Sequence, residues 1–364
     1  MILLRYLMLE TFKSQIGILF VLFLIFVSQQ FIRILAEAIK GAIPADLVMT
    51  FLYLNIPALA TLMLPISFFL AVLFAYGRLY SESEMVAMIS CGYSPNNVLK
   101  STLLLSFFTF VFSGANSLYL TPLAENQIDT VTENAEANTG SAPVIEGIFH
   151  KISDDGVVYV EKYKKGKELE KIFAAHWPED PDMAPSILTA LHGKLEVRDT
   201  GTWLTMTNGQ RYVGNIGENE FDKNVFKSFQ IHIENREVQT KKRGVEALPT
   251  KQLIGSDNLK YQAELQWRIA LPLSIILLTF MAVPLARVNP RQGRYSKLLP
   301  ALSLYLTYFL LLSTSKSLIE EGDLPVFSIW IVQLLFFVVG VLLHLQSLGK
   351  FTNVFFKRKR AKTA

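Results

Sequence analysis

The chain has 364 residues, of which 51% are apolar and only 18% charged, with a formal net charge of +4. Soluble domains carry roughly 25% charged residues, so this balance excludes an ordinary soluble protein and leaves room for several membrane spans plus one folded domain. Cys91 is the single cysteine, which excludes an intrachain disulfide and requires any external domain to be held by its own core.

The first apolar stretch, about 15–35, meets the ~20 residues needed to cross a bilayer core. It is longer than a signal-peptide core and no small-residue cleavage site follows it, so it reads as a retained span. Arg33 and Glu37 lie four apart at its far end, the spacing of a local salt bridge. A second stretch, about 47–75, contains Pro57 and Pro65 and is long enough to tilt or bend. A third covers about 98–120.

Between the second and third lies the segment from Arg78 to Pro95. It reads as a compact helix ended by Gly92, then a new helix capped by Ser94 with Pro95 at its first position. On a regular helix Met85, Val86 and Ile89 share one face, with Glu84 on another beside Ala87, Met88 and Cys91. Neither face has the charge of a solvated helix, which predicts a cover; if that cover is another protein, the segment transmits force or information between the membrane and a cytoplasmic partner. Glu82 and Glu84 project about 160° apart and are expected to do different jobs.

The section 125–138 is polar and reads as a helical extension of the third span. From Pro143 onward, short alternating runs read as half-buried strands. They are 157–163, 187–192, 194–198, 202–207, 211–213 and 226–233, with Gly193 and the Asn208-Gly209 pair read as turns. Such spacing predicts an antiparallel sandwich, jelly roll or open barrel. Trp203, Phe226, Phe229 and Ile231 are expected inside it, either as ordinary core or as walls of a path for a lipid chain. The section 237–258 reads as a connector back to the membrane.

Three more apolar stretches follow, about 269–288, 298–315 and 326–345. Loop charges set the orientation. The segment Arg287 to Lys297 has four basic residues and no acid, and the tail from Lys350 has six and no acid. The loop 316–325 has one Lys against Glu320, Glu321 and Asp323. Both termini and the 78–100 segment are therefore expected inside, and the hydrophilic section outside the cytoplasm. That section, 122–262, has 17 basic against 22 acidic residues, whereas the remainder has 18 against 9. The basic run Lys357-Arg-Lys-Arg360 beside a span suits anionic lipid better than nucleic acid.

Glu264 and Arg268 repeat the four-residue spacing at the outer start of the fourth span. They read either as a local pair or, with Arg33, Lys40 and Lys316, as part of a cationic collar at the outer leaflet. Such a collar suits a phosphorylated lipid head group, because these cations make charge-assisted bonds to phosphate.

Catalytic patterns are sparse. The sequence contains no G-x-x-x-x-G-K-[ST], no H-E-x-x-H and no G-x-S-x-G. The five histidines are scattered, without zinc-ligand spacing. The chain is therefore read as a non-enzyme without cofactor or metal. Its spans lack the deep ionisable groups of gradient-driven transport, so it must borrow an engine.

Over nearly its whole length the chain resembles the YjgP/YjgQ permease family, the membrane core of the lipopolysaccharide export ABC transporter. The resemblance rests on Arg5-Tyr-Leu with Glu10-Thr-Phe-Lys-Ser-Gln15, on Leu79-Tyr-Ser-Glu-Ser-Glu84 with Cys91-Gly92, and on Val288-Asn-Pro-Arg-Gln-Gly-Arg294 followed by Leu299-Pro-Ala301 and Tyr305. The last block resembles the F-type rather than the G-type member. The resemblance implies six transmembrane helices with an inserted periplasmic all-β, jelly-roll-like domain, in a bacterial inner membrane. The parts are 1–121 with the coupling segment 78–95, the β domain 122–262, helices 263–349 and the basic tail 350–364.

It further implies a heterodimer with a G-type paralogue on two copies of a cytoplasmic ATPase, which would bind ATP and magnesium. Periplasmic bridge and single-span adaptor proteins would be further partners, and lipopolysaccharide the cargo. Glu84, with Glu82, Met85 and Met88, would couple to the ATPase. Trp203, Phe229 and Ile231 would line the periplasmic lipid path. Gln30 stands where such permeases often have a basic residue, which leaves Arg33 the better head-group candidate. Other readings from the same residues are the G-type subunit, a permease for another envelope lipid or lipoprotein, and a non-transporting membrane scaffold.

Overall fold

A computed structural model describes residues 2–39, 44–139, 147, 149–153, 156–164, 168–177, 184–198, 201–214, 222–233, 244–288 and 297–348. Its helices are α1 (Ile2–Ile39), α2 (Val48–Leu54), α3 (Ile56–Ser81), α4 (Glu84–Ser90), α5 (Pro95–Ala115), α6 (Thr121–Thr139), α7 (Thr250–Leu253), α8 (Leu259–Leu285), α9 (Leu298–Glu321) and α10 (Ser328–Ser347). Among the described residues, six helical stretches are long and apolar enough to span a membrane, at the six places expected. The chain divides into two compact units, one of 1–31, 52–127 and 244–364, the other of 32–51 and 128–243.

In the second unit, six strands form one antiparallel sheet: β1 (Phe149–Ser153), β2 (Gly156–Lys164), β3 (Glu168–His176), β4 (Ser186–Arg198), β5 (Gly201–Val213) and β6 (Asp222–Ile233). The inserted all-β domain is as expected. Its described strands follow one another in chain order, without the crossover that distinguishes a jelly roll. The expected segment 122–262 also includes α6 and the returning connector.

Two expected turns lie inside strands. Gly193 sits within β4, and Asn208-Gly209 within β5, where pairing continues on both sides through Ala190↔Gly209 and Thr207↔Ser228. Asn208 does take the left-handed φ of 55° that a tight turn would use. The sheet absorbs it as a change of phase instead. A row of cross-strand neighbours, Glu161, Lys171, Leu191, Asn208 and Lys227, falls where each ladder is interrupted. Lys171 is left-handed too, at φ 51°, and its Nζ donates to Glu161 Oε1 at 2.8 Å. Beyond this row the inward positions shift by one, so Leu204 and Met206 face the core on one side and Gly209 on the other. A Cβ on Gly209 would lie 2.4 Å from the Thr189 carbonyl oxygen, which explains the missing side chain. Val158, Val160, Leu169, Ile172, Ala174, Leu188, Ala190, Leu204 and Met206 form one buried cluster. Phe226, Phe229 and Ile231 of β6 pack against this cluster on the same face of the sheet.

In the helical unit, α3 and α8 form the interior. Phe68, Phe69, Val72, Tyr76 and Leu79 of α3 pack in one core with Leu271, Ile275, Leu278 and Met281 of α8. At Gly340 of α10 an added Cβ would meet Met281 and Phe280 of α8 at 3.0 Å, the close approach that small residues allow between apolar helices. Helix α1 differs: its apolar length is almost wholly exposed, as expected of a surface facing lipid or another chain.

Prolines inside these helices release carbonyls, and in an apolar medium those must find other donors. Pro272 cannot bond the Arg268 carbonyl, which accepts from Ser117 Oγ at 3.0 Å instead. Pro122 likewise frees the Leu118 carbonyl, at a π-helical turn over Asn116–Leu120, and Thr250 Oγ1 donates to it at 2.6 Å.

These repairs surround one buried guanidinium. Arg268 Nε donates to Glu264 Oε1 at 2.8 Å. Its Nη1 donates to the Leu248 carbonyl (2.9 Å) and Thr250 Oγ1 (3.0 Å), and Nη2 to the carbonyls of Val245 (3.3 Å) and Glu246 (2.9 Å). All five N–H groups are used. Lys316 of α9 completes the cluster, donating to Glu264 Oε2 at 2.7 Å and lying 5.3 Å over the Trp267 ring. The connector 244–253, the π-turn, α8 and α9 are thereby joined at one point. Removing one partner of a buried ion pair typically costs about 3–5 kcal/mol. Arg268→Ala should therefore lower the thermal midpoint of the detergent-purified protein far more than Lys316→Ala, whose ammonium is partly exposed. Equal midpoints for the two variants would contradict this.

Candidate functional site

The 78–95 segment is not one regular helix. Helix α3 runs through Arg78 to Ser81, and the chain breaks at Glu82 and Ser83, where Ser83 is left-handed at φ 62°. The 160° separation expected for Glu82 and Glu84 does not apply across this break. The far end is as expected. Gly92 (φ 94°) bonds to the Ile89 carbonyl and Tyr93 N–H to the Met88 carbonyl, a Schellman ending. Ser94 Oγ accepts from Asn97 N–H at 3.3 Å with Pro95 at the first helical position.

Seven residues are too few to hold a helix unaided, and α4 is fixed by its contacts. Met85 and Met88 are buried in the helical core, with Ile89 and Tyr93 packed beside them. Both methionines were expected among the ATPase-coupling residues. They point instead into their own chain, because inward packing is what anchors so short a helix. Outside are Glu82, Glu84, Val86, Ala87, Ser90 and Cys91. The exposed surface is thus small, half apolar and acidic at one end.

Glu84 has a partner that no local pattern signals. Tyr6 of α1 donates its hydroxyl to Glu84 Oε2 at 2.7 Å, across 78 positions. One turn further along α1, Glu10 pairs with Arg78 in the last turn of α3 and with Lys13 at 3.3 Å. Tyr6 and Glu10 both fall in the stretches that carry the family resemblance. Their i,i+4 spacing places them on one face, but only the tertiary structure brings that face to the α3–α4 break. Beside it a cleft of about 510 Å³ opens between α1 and α3, lined by Glu10, Lys13, Ser14, Gly17, Ile18, Phe74, Ala75 and Arg78.

The collar residues separate. Arg268 is a structural cation: each of its N–H groups is taken within the chain, leaving none for a phosphate. Lys316 is committed to Glu264, with 17% of its side chain exposed. Arg33 is exposed on α1, and Lys40 lies outside the described residues. Gln30 donates to Asn55 Oδ1 at 3.0 Å, joining α1 to the α2–α3 junction.

In the sheet, Phe229 pairs with Met206 and Ile231 with Leu204 on the buried apolar face, where both are partly buried. Phe226 packs at a tilt against Phe229 with centroids 5.3 Å apart. Trp203 was expected with them but sits opposite Glu196 and His232 on the reverse face. Leu204, its neighbour, takes the inward position. The Asn289–Arg294 part of the third family stretch and the basic tail lie outside the described residues.

Among the described residues no cluster of His, Cys, Asp or Glu could hold a metal ion.

The family described as "Lipopolysaccharide export system permease LptF/LptG" matches residues 5–346. The lipopolysaccharide export system permease protein LptF of Escherichia coli strain K12 is 35% identical over 347 residues, 95% of this chain and 95% of that one. The protein of the same name in Shigella flexneri matches equally. Both are F-type, in agreement with the 288–305 block. A match over nearly the full length, on a framework of six membrane-length helices interrupted by a β sheet, establishes that the chain belongs to the lipopolysaccharide export system permease LptF/LptG family.

Proposed function

We propose that this chain is the F-type permease subunit of an ATP-driven exporter that takes lipopolysaccharide from the outer leaflet of an inner membrane. The observation that carries this reading is the 35% identity to permease protein LptF over 95% of both chains. The chain supplies membrane path and periplasmic domain. A G-type permease pairs with it, two copies of a cytoplasmic ATPase bind ATP and magnesium and drive it, and bridge and adaptor proteins receive the lipid. The loop charges support cytoplasmic termini, a cytoplasmic α4 and a periplasmic sheet.

In this reading α4 is the docking element. An exposed carboxylate on a short helix, rimmed by Val86 and Ala87, suits an arginine on the ATPase surface, because a planar guanidinium fixes docking register. Glu82 occupies the break between α3 and α4 and plays the lesser part. At the other leaflet, Arg33 and Lys40 meet the lipid phosphates while acyl chains lie in a cavity enclosed by the permease pair, and Lys316 contributes only where it can leave Glu264. Phe229 and Ile231 offer the sheet's apolar face to the chains; the position of Trp203 on the reverse face removes it from that path.

Charge reversal at Glu84 (Glu84→Arg) should reduce the ATPase retained per permease by about ten-fold or more, the scale of losing a paired interfacial charge. The permease itself should remain folded. Full retention with normal export would sink the docking role. For the head group, Arg33→Ala should weaken photocrosslinking of lipopolysaccharide at neighbouring α1 positions by about ten-fold, the worth of one charge-assisted bond. Unchanged crosslinking at all of them would count against Arg33.

A further inference from the structure

The contact between Tyr6 and Glu84 has a consequence for how docking is transmitted. Helix α1 is held to the helical core by a short stripe near its start, where Leu7, Thr11 and Gln15 are buried at i, i+4 and i+8. From residue 16 to residue 33 no side chain is buried. Adjoining that stripe, Tyr6 bonds Glu84 at the start of α4 and Glu10 bonds Arg78 at the end of α3. One face of α1 therefore bridges both sides of the left-handed break at Ser83. Beyond Glu10 the cleft beside Phe74 and Ala75 leaves α1 room to shift against α3.

We propose that Tyr6 is a positioning residue for Glu84, and that with the Glu10–Arg78 pair it straps α1 to the coupling helix. Two things follow from the geometry. The phenol fixes one carboxylate oxygen, so the other, Oε1, which takes no hydrogen bond among the described residues, points in a defined direction for an external guanidinium. And any displacement of α4 on its partner is passed to the first turns of α1, whose apolar middle has no fully buried side chain from residue 16 to residue 33. The strap rests on the reading of α4 as the ATPase docking element.

The test uses the complete permease–ATPase complex in lipid nanodiscs and measures ATPase retention, ATP hydrolysis and lipopolysaccharide exported per ATP. Tyr6→Phe keeps the ring and removes the hydroxyl. It should leave retention within about two-fold while export per ATP falls about ten-fold, the scale of one hydrogen bond to a charged group. In a Glu84→Gln background, Tyr6→Phe should add little further loss, because it acts through that carboxylate. Independently, Glu10→Arg should uncouple, and the exchange Glu10→Arg with Arg78→Glu should restore coupling. Wild-type export per ATP in Tyr6→Phe would overturn the proposal alone, as would full additivity with Glu84→Gln or failure of the exchange to rescue. Intact retention and coupling in Glu84→Gln would overturn the docking reading, and the strap with it.

Discussion

A guanidinium cannot be left bare among apolar helices, and the helical unit is organised around that constraint. Arg268 places five N–H groups in the interior, and the chain answers with Glu264, three carbonyls of the returning connector and Thr250. Thr250 in turn answers the carbonyl that Pro122 frees, and Ser117 the one that Pro272 frees on Arg268 itself. Backbone repair and charge compensation are one network. It fixes where the connector 244–253 meets the helices, and it secures α8, the most buried of the membrane-length helices, near its N-terminal end.

The opposite end of the helical unit is built on different terms. There the charges sit at the surface and the contacts are few: Tyr6 on Glu84, Glu10 on Arg78, and two methionines holding a seven-residue helix. Surface ion pairs of this kind contribute little to stability, ~0–1 kcal/mol each. They specify orientation more than they stabilise. One end is thus a clamp, and the other an adjustable linkage between α1 and α4. In the proposed reading, where a separate ATPase drives the chain, both properties are needed, since a linkage without a fixed end would dissipate the displacement it receives.

Much of this was legible in the sequence, for physical reasons that can be named. Six apolar runs give six spans because a bilayer admits little else of that length and composition. Gly92, Ser94 and Pro95 marked a helix end and restart because those residues solve local backbone problems. The Glu264–Arg268 pair was visible from its spacing. What spacing could not convey was the third partner, Lys316, or the carbonyls from 245–248 that absorb Arg268 and take it out of the proposed collar. Asn208-Gly209 misled because left-handed backbone serves a hairpin turn and a phase change in a sheet equally well. Met85 and Met88 were named as coupling residues by resemblance, and their burial in the helical core rests on tertiary contacts that the helical projection alone does not assign to one face. Tyr6 was within a recognised stretch, but its role depends on a contact 78 residues away.

The central claim is that this chain is the membrane part of a machine whose motor is a separate protein and whose cargo is lipopolysaccharide. Gentle extraction of the full-length chain from its native membrane, followed by native mass spectrometry of everything bound, addresses it most directly. The account predicts a complex with one G-type permease, two ATPase subunits and retained lipopolysaccharide. A chain that emerges without an ATPase, or with envelope proteins on its β sheet and no bound lipid, would contradict it.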